Sequence, residues 1–317
     1  MLLSVVIPVL NEERNIPELA GRLRAVLEPS TDFEVVFVND GSTDGTFELL
    51  HQLYEQDKRF KSVHLARNFG HQAGISAGLQ AATGDAVVVM DGDLQDTPEA
   101  IPQLVARWQE GYEVVYAVRS SRQAPRLRLF AYKLFYRILK TLSQIDIPLD
   151  SGDFSLMDRK VVDAVNAMPE RTRFVRGLRS WVGFRQIGVD IPRDTRFAGV
   201  PKYNFGRLLR LALDGFFAFS YRPLQIASLL GLCVSALALV MAVALVALKV
   251  FHGIPLLGWT SLMVAVLFLG GVQLISLGIL GEYVGRIYDE ARERPPYVIS
   301  SVLGETQMST KASPLRK

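Results

Sequence analysis

Two aspartates separated by one glycine, Asp91-Gly92-Asp93, stand directly after the apolar run Ala86–Met90. Carboxylate oxygens are the ligands that Mg2+ and Mn2+ prefer, and such ions usually keep waters and share substrate phosphates. A carboxylate pair at a strand end can therefore hold a cation that stabilises charge on a departing diphosphate. The string is short, and a turn with helix-capping aspartates also fits it. Two more polar clusters share its setting. Pro8-Val9-Leu10-Asn11-Glu12-Glu13 closes one apolar run, and Asn39-Asp40-Gly41-Ser42-Thr43-Asp44-Gly45 closes another. Asp40 can accept hydrogen bonds from a base or ribose, and the small residues beside it let the backbone approach a ligand. A turn plus a helix cap explains that stretch too, and Glu12 can face a ribose or cap a helix.

Such clusters need strands to place them. Leu3–Val9, Glu34–Val38, Ala86–Met90 and Val114–Val118 are short, nearly continuous apolar runs, the pattern of strands buried on both faces. Between them lie helical patterns over Ile16–Leu27, Thr46–Tyr54, Gln72–Ala82 and Pro98–Trp108. The alternation predicts an α/β domain with a mostly parallel sheet. Ligands of such sheets bind beyond the carboxyl ends of the strands, where all three polar clusters fall. No G-x-G-x-x-G follows the first strand and no Walker phosphate loop occurs, so dinucleotide-binding and P-loop chemistry are excluded.

The remainder of the chain has a different composition. Of 317 residues 49% are hydrophobic, and the excess lies after Pro223. Leu224–Leu248 and Trp259–Gly281 carry no charge and are each long enough to cross a hydrocarbon core of ~30 Å, which predicts a two-helix transmembrane hairpin. Arg207, Arg210 and Arg222 precede it and Arg286, Arg292 and Arg294 follow it, whereas the link carries only Lys249. That bias places both ends, and the domain before them, in the cytoplasm. Segment 126–142 reads as a basic amphipathic helix and 205–222 as an interfacial helix, both suited to a membrane surface. The expected organisation is a catalytic domain over 1–204, the interfacial helix, the hairpin within 223–285, and a cytoplasmic tail over 286–317 that is disordered from Gly304. The net charge of +3 calls for no nucleic acid, and the single cysteine, Cys233, permits no intrachain disulfide. The first residues lack a basic n-region and read as a strand, not a signal peptide. Gly270-Gly271 permits close helix contact, the kind through which spans associate in a homo-oligomer.

Val6-Ile7-Pro8-Val9-Leu10-Asn11-Glu12-Glu13, Val38-Asn39-Asp40-Gly41-Ser42-Thr43-Asp44, Arg67-Asn68-Phe69-Gly70 and Asp91-Gly92-Asp93-Leu94-Gln95-Asp96 together resemble glycosyltransferase family 2 in order and spacing. Arg196-Phe197-Ala198-Gly199-Val200-Pro201-Lys202-Tyr203 and Gly281-Glu282-Tyr283-Val284-Gly285-Arg286-Ile287-Tyr288 resemble its polyprenyl-phosphate branch, which includes bactoprenol glucosyltransferase-like, dolichol-phosphate mannose synthase-like and aminoarabinose transferase-like enzymes. The resemblance implies a GT-A fold and inverting transfer from a nucleotide-sugar, a UDP-sugar with glucose favoured, to undecaprenyl or another polyprenyl phosphate at a bacterial-type inner membrane. It implies Mg2+ or Mn2+ at Asp91 and Asp93, and nucleotide-sugar contacts from Pro8, Glu12, Asp40, Ser42, Gln95 and Lys202. Acceptor phosphate falls to Arg119, Lys133 and, beside them, Arg122. Asp153 is expected as a base or a positioning group, with positioning favoured because a lipid phosphate is already anionic at neutral pH. Two other functions remain open: a processive polysaccharide synthase, whose Gln-x-x-Arg-Trp signature is interrupted at Arg179-Ser180-Trp181, and a non-catalytic membrane scaffold of the same fold.

Overall fold

The computed structural model describes residues 1–118, 151–171, 173–191, 222–252 and 258–306. Among these residues eight strands form one sheet: β1 (Leu2–Val9), β2 (Asp32–Asn39), β3 (Phe60–Leu65), β4 (Ala86–Val89), β5 (Val114–Val118), β6 (Ser151–Asp158), β7 (Gln186–Asp190) and β8 (Ile299–Leu303). Their spatial order is β7-β5-β6-β4-β1-β2-β3-β8. β1, β2, β3 and β4 pair in parallel, as does β5 with β7, while β6 runs antiparallel to β4 and β5, and β8 antiparallel to β3. The sheet is therefore mixed. The antiparallel β6 brings its first residues to the same end as the carboxyl ends of β4 and β5, with Ser151 opposite Val118 and Ser155 opposite Val89.

Alternating side chains divide the core into two layers. On one face Leu3, Val5, Ile7 and Val9 of β1 pack with Leu19, Leu23 and Leu27 of α1 (Ile16–Leu27), Leu50 of α2 (Thr46–Gln56), and Ile101 and Leu104 of α4 (Ile101–Gln109). On the other, Val6, Val36, Val38 and Val63 meet α3 (His71–Ala81), α5 (Arg159–Ala167) and α6 (Val175–Trp181). α3 presses unusually close. A methyl group at Gly78 would overlap Val6, and one at Gly74 would lie 3.1 Å from Pro8 Cβ. Asp158 starts α5 by accepting the Lys160 N–H at 3.1 Å and also accepts the Trp108 indole N–H at 2.8 Å.

β8 belongs to the segment expected as a tail. It returns to the sheet edge, where Ala66 N–H donates to Val298 O at 2.8 Å and the Ser300 hydroxyl to His64 O at 3.0 Å. The disorder expected from Gly304 concerns mostly residues 307–317, outside the described part, as do the basic helix at 126–142 and nearly all of the interfacial helix at 205–222.

The chain divides into two units, one holding the sheet and the other spanning mainly Tyr203–Arg294. In the second, α7 (Arg222–His252) and α8 (Trp259–Ala291) contain 31 and 33 residues. At 1.5 Å per residue each is roughly 45–50 Å long. Among the described residues one stretch, Phe268–Ala291, is long and apolar enough to cross a membrane on its own, and Ala227–Met241 is a shorter apolar helical stretch. Large apolar side chains face outward along both helices: Leu232 is 67% exposed, Phe251 80% and Leu274 72%.

Candidate active site

The loops after β1 and β2 are stitched to each other. Asn11 sits in the left-handed region, φ 58°, with its own N–H donating to Ser42 Oγ at 2.9 Å and its Oδ1 accepting the Thr43 N–H at 2.8 Å. Glu12 N–H donates to Thr46 Oγ1 at 3.1 Å, Gly45 N–H to Glu13 Oε2 at 2.8 Å, and the Asn15 amide to the Glu12 carboxylate. These bonds set Glu12 and Ser42 side by side at one flank of the sheet end.

Asp40 is 3% exposed and directed under the following loop. Its Oδ1 accepts the Phe69 N–H at 2.7 Å and its Oδ2 the Gly70 N–H at 2.9 Å. It thereby fixes the entrance to α3. Next to it, Gly41 has φ +71° and a methyl group there would lie 2.5 Å from the Arg67 carbonyl carbon, so the position requires glycine.

α3 is the hub of the site. Its first residue, His71, brings Nε2 to 3.4 Å from Asp91 Oδ1 and 3.6 Å from Asp153 Oδ2. Its second, Gln72, accepts the Val175 N–H at 2.8 Å and so holds the start of α6. On α6, Arg176 Nη2 lies 3.2 Å from Asp153 Oδ1. Desolvation opposes a proton on His71, but the hydrogen bond to Asp153 and the charges of Asp91 and Asp153 raise its pKa above the usual value. Desolvation likewise opposes charge on Asp153. The His71 hydrogen bond and the charges of Arg176, His71 and Arg179 outweigh it, and the carboxyl stays well below the usual range. So held, the Asp153 carboxylate is fixed between the start of α3 and α6.

The Asp91–Asp96 loop folds on itself. Asp91 N–H donates to Asp96 Oδ2 at 3.2 Å, Gln95 N–H to Asp93 Oδ1 at 3.1 Å, and Leu94 adopts φ 61°. A left-handed leucine is strained backbone, the kind that persists where surroundings over-determine it. Gly92 has no room for a side chain, since a methyl group would lie 2.9 Å from Val9 Cγ1 and 3.3 Å from Pro8 O. Pro8, itself buried, thus forms the floor against which the D-x-D turns. Among the described residues no group of three or more His, Cys, Asp or Glu side chains forms a ready-made metal cage. Asp91 and Asp93 still offer hard oxygen donors on one turn, the donor set of ions that complete their shell with water and phosphate.

Of the sequence-predicted residues, Pro8, Glu12, Asp40, Ser42, Asp91, Asp93, Gln95 and Asp153 all fall at this end of the sheet, and His71 joins Asp91 to Asp153. Arg119, Arg122, Lys133 and Lys202 lie outside the described residues. Sequence reasoning missed His71, Gln72 and Arg176, and met Arg179 only within the interrupted Arg179-Ser180-Trp181 signature. The available signal for His71 and Gln72 was their position immediately after Arg67-Asn68-Phe69-Gly70, a polar pair opening a helix whose later residues are mostly small or apolar.

Residues 4–165 match the sequence family described as Glycosyl transferase family 2. The glycosyltransferase sll0501 of Synechocystis sp. is 48% identical over 304 residues, covering 95% of this chain and 96% of that one. YkcC, a glycosyltransferase of Bacillus subtilis, is 45% identical over 95% of this chain and 94% of its own. The bactoprenol glucosyl transferase of Shigella phage SfV is 41% identical over 303 residues, covering 95% of this chain and 99% of that protein.

Proposed function

The chain belongs to glycosyl transferase family 2, and from that membership we propose that it transfers a sugar from a nucleoside diphosphate sugar to the phosphate of a polyprenyl lipid at a membrane face. The observation that carries the reading is the extent of the likeness to bactoprenol glucosyl transferase. It does not stop with the family domain at residue 165 but spans 95% of this chain, which takes in the paired apolar helices. UDP-glucose is the proposed donor on the same ground.

The proposed reaction is a single displacement. A phosphate oxygen of the acceptor attacks the anomeric carbon on the face opposite the nucleotide. The bond from that carbon to the diphosphate breaks, its electron pair leaves with the nucleoside diphosphate, and the configuration inverts. A phosphate monoester is already anionic at neutral pH, so no strong base is required. Asp91 and Asp93 would hold Mg2+ or Mn2+, which when bound supplies positive charge at the departing diphosphate. Glu12, Ser42 and the Asp40 loop are proposed for the nucleoside, Gln95 and Lys202 for the donor phosphates and sugar, and Asp153 for alignment.

Support for two membrane crossings comes from parity. β3 and β8 share one sheet, so they lie on the same side of any bilayer. α7 and α8 lie between β7 and β8 in sequence, and α8 alone crossing would separate β8 from its partner. Both helices cross, or neither does. The outward apolar side chains of both favour crossing, because such a surface is unfavourable in water. The arginine bias then assigns the sheet to the cytoplasm, where nucleotide-sugars are found.

The test is a donor panel. The purified full-length protein should transfer label from one UDP-sugar to undecaprenyl phosphate, and Asp93→Ala should abolish transfer while remaining folded. Transfer to water or to a polysaccharide end instead of the lipid phosphate would contradict the reading.

A further inference from the structure

Arg176 and Arg179 stand three residues apart on α6, on one helical face. Arg176 directs both Nε, at 3.4 Å, and Nη2, at 3.2 Å, to Asp153 Oδ1. Arg179 is 2% exposed, a rare burial for a guanidinium. Its Nη2 reaches Gly152 O only at 3.5 Å, its Nε has no hydrogen-bond partner among the described residues, and its carbon centre lies 5.4 Å from the Tyr116 ring centroid. Burial lowers its pKa to about 10 against the pull of Asp153, which leaves it charged at neutral pH. Two guanidinium charges therefore share one carboxylate, and one keeps an unmet donor. A buried cation in that state is stabilised by a further anion.

The strand order indicates which anion. From β4, which carries Asp91 and Asp93, the loops proposed for the nucleoside lie toward β1 and β2. Asp153 and Tyr116 lie the other way, on β6 and β5. The His71 bridge from Asp91 to Asp153 links the two flanks. The arginine pair is thus on the flank opposite the nucleoside, where the second substrate must approach.

We propose that Arg176 and Arg179 seat the phosphate monoester of the lipid acceptor, with Asp153 as the positioning residue that aligns the Arg176 fork. The proposal rests on the transfer reaction proposed above and assigns the acceptor's phosphate to residues within the described sheet domain. The planar guanidinium presents parallel donors that match two phosphate oxygens, whereas a lysine offers a point charge. Arg179, whose charge is felt at Asp153, adds positive charge for the same anion. With the phosphate so held, one oxygen remains to attack the sugar.

Kinetics of the full-length protein in detergent separate the substrates. Arg176→Gln should raise KM for undecaprenyl phosphate by at least about tenfold, the effect of one lost charge-assisted bond, with KM for the UDP-sugar within about twofold. Arg176→Lys should recover only part of that loss. Arg179→Lys should behave like Arg176→Lys if it folds, and if it does not, the Arg176 variants decide alone. Equal KM rises for both substrates would assign the arginines to the donor, and loss of kcat with both KM values unchanged would make them structural; either result overturns the proposal. A binding arm without donor compares undecaprenyl phosphate with undecaprenol, with inorganic phosphate as competitor. Phosphate-dependent lipid binding lost in Arg176→Gln is expected, and equal binding by both proteins refutes the site. Wild-type protein that binds lipid phosphate through Arg176 yet transfers no sugar would sink the transfer reading and leave the site standing. Active wild-type protein with an unaltered Arg176→Gln would do the reverse.

Discussion

Replacing Asp40 by alanine distinguishes two roles for a residue at the nucleoside flank. The carboxylate accepts the Phe69 and Gly70 N–H groups at 2.7 and 2.9 Å, and it is 3% exposed. A hydrogen bond to a charged group contributes about 1.5–3 kcal/mol, so the two together contribute roughly 3–6 kcal/mol. Water admitted to the vacated space recovers part, and about 3 kcal/mol of destabilisation is expected. For a unit of this size each kcal/mol moves the melting point by about 2–4 °C, which makes the expected drop roughly 6–12 °C. The lost bonds hold the entrance to α3, and hence His71 and Gln72, so kcat should fall together with stability. The assay is thermal unfolding of full-length Asp40→Ala followed by intrinsic fluorescence, beside donor and acceptor kinetics. A variant that melts with the wild type and changes only the donor KM would refute the pinning role and leave Asp40 as a nucleotide contact alone.

Other consequences are equally specific. Gly92→Ala must push the D-x-D turn away from Val9 and Pro8; kcat should fall by at least about tenfold while the fold survives, and a fully active variant would show the turn is not confined there. Buried His64 lies between the Asn39 amide at 3.3 Å and the Ser62 hydroxyl at 2.9 Å, and burial, with a smaller effect of His51, pushes its pKa from 6.5 down to about 4. Because the folded state binds that proton less readily, its stabilising effect is complete above pH 6.5 and fades as pH falls toward about 4, by on the order of 3 kcal/mol. Melting points of His64→Gln should depend less steeply on pH across that window than those of the wild type; parallel curves would remove His64 from the explanation. Finally, in a background lacking Cys233, cysteines at Lys58 and Arg294 should react with an impermeant thiol reagent from one membrane face and a cysteine at Gly253 from the other. Labelling of all three from one face would contradict two crossings.

Much of this molecule was legible because its central strands are buried on both faces. β1, β2, β4 and β5 read as unbroken apolar runs, and the helices between them carry apolar residues at helical spacing. β3 escaped because Lys61, Ser62 and His64 look like a polar loop. Ser62 and His64 are buried against each other and Asn39, and Lys61 reaches the buried Glu34 at 2.7 Å, pairings invisible until β2 and β3 are adjacent. β6 holds Gly152, Asp153 and Ser155, small or polar residues that break up its apolar pattern and conceal a strand. β8 is short and half polar, and its partner lies more than 200 residues earlier, so no local pattern announces it. The site divides in the same way. Asp91 and Asp93 follow an obvious strand, and their place at its end singled them out. Arg176 and Arg179 matter only because α3 anchors α6 through Gln72 and because β6 runs back beside β4. Asp40 was placed correctly at the sheet end, yet the sequence does not reveal that both its oxygens are engaged by the Phe69-Gly70 turn.

The most direct test of the central claim gives the full-length protein, in bilayers with Mg2+ or Mn2+, UDP-glucose labelled in the sugar and either undecaprenyl phosphate or undecaprenol. The account predicts lipid-extractable label with the phosphate only, in a product from which mild acid frees the sugar, and no product from Asp93→Ala. Label on undecaprenol, or lipid-free label from a folded and nucleotide-binding protein, would contradict it.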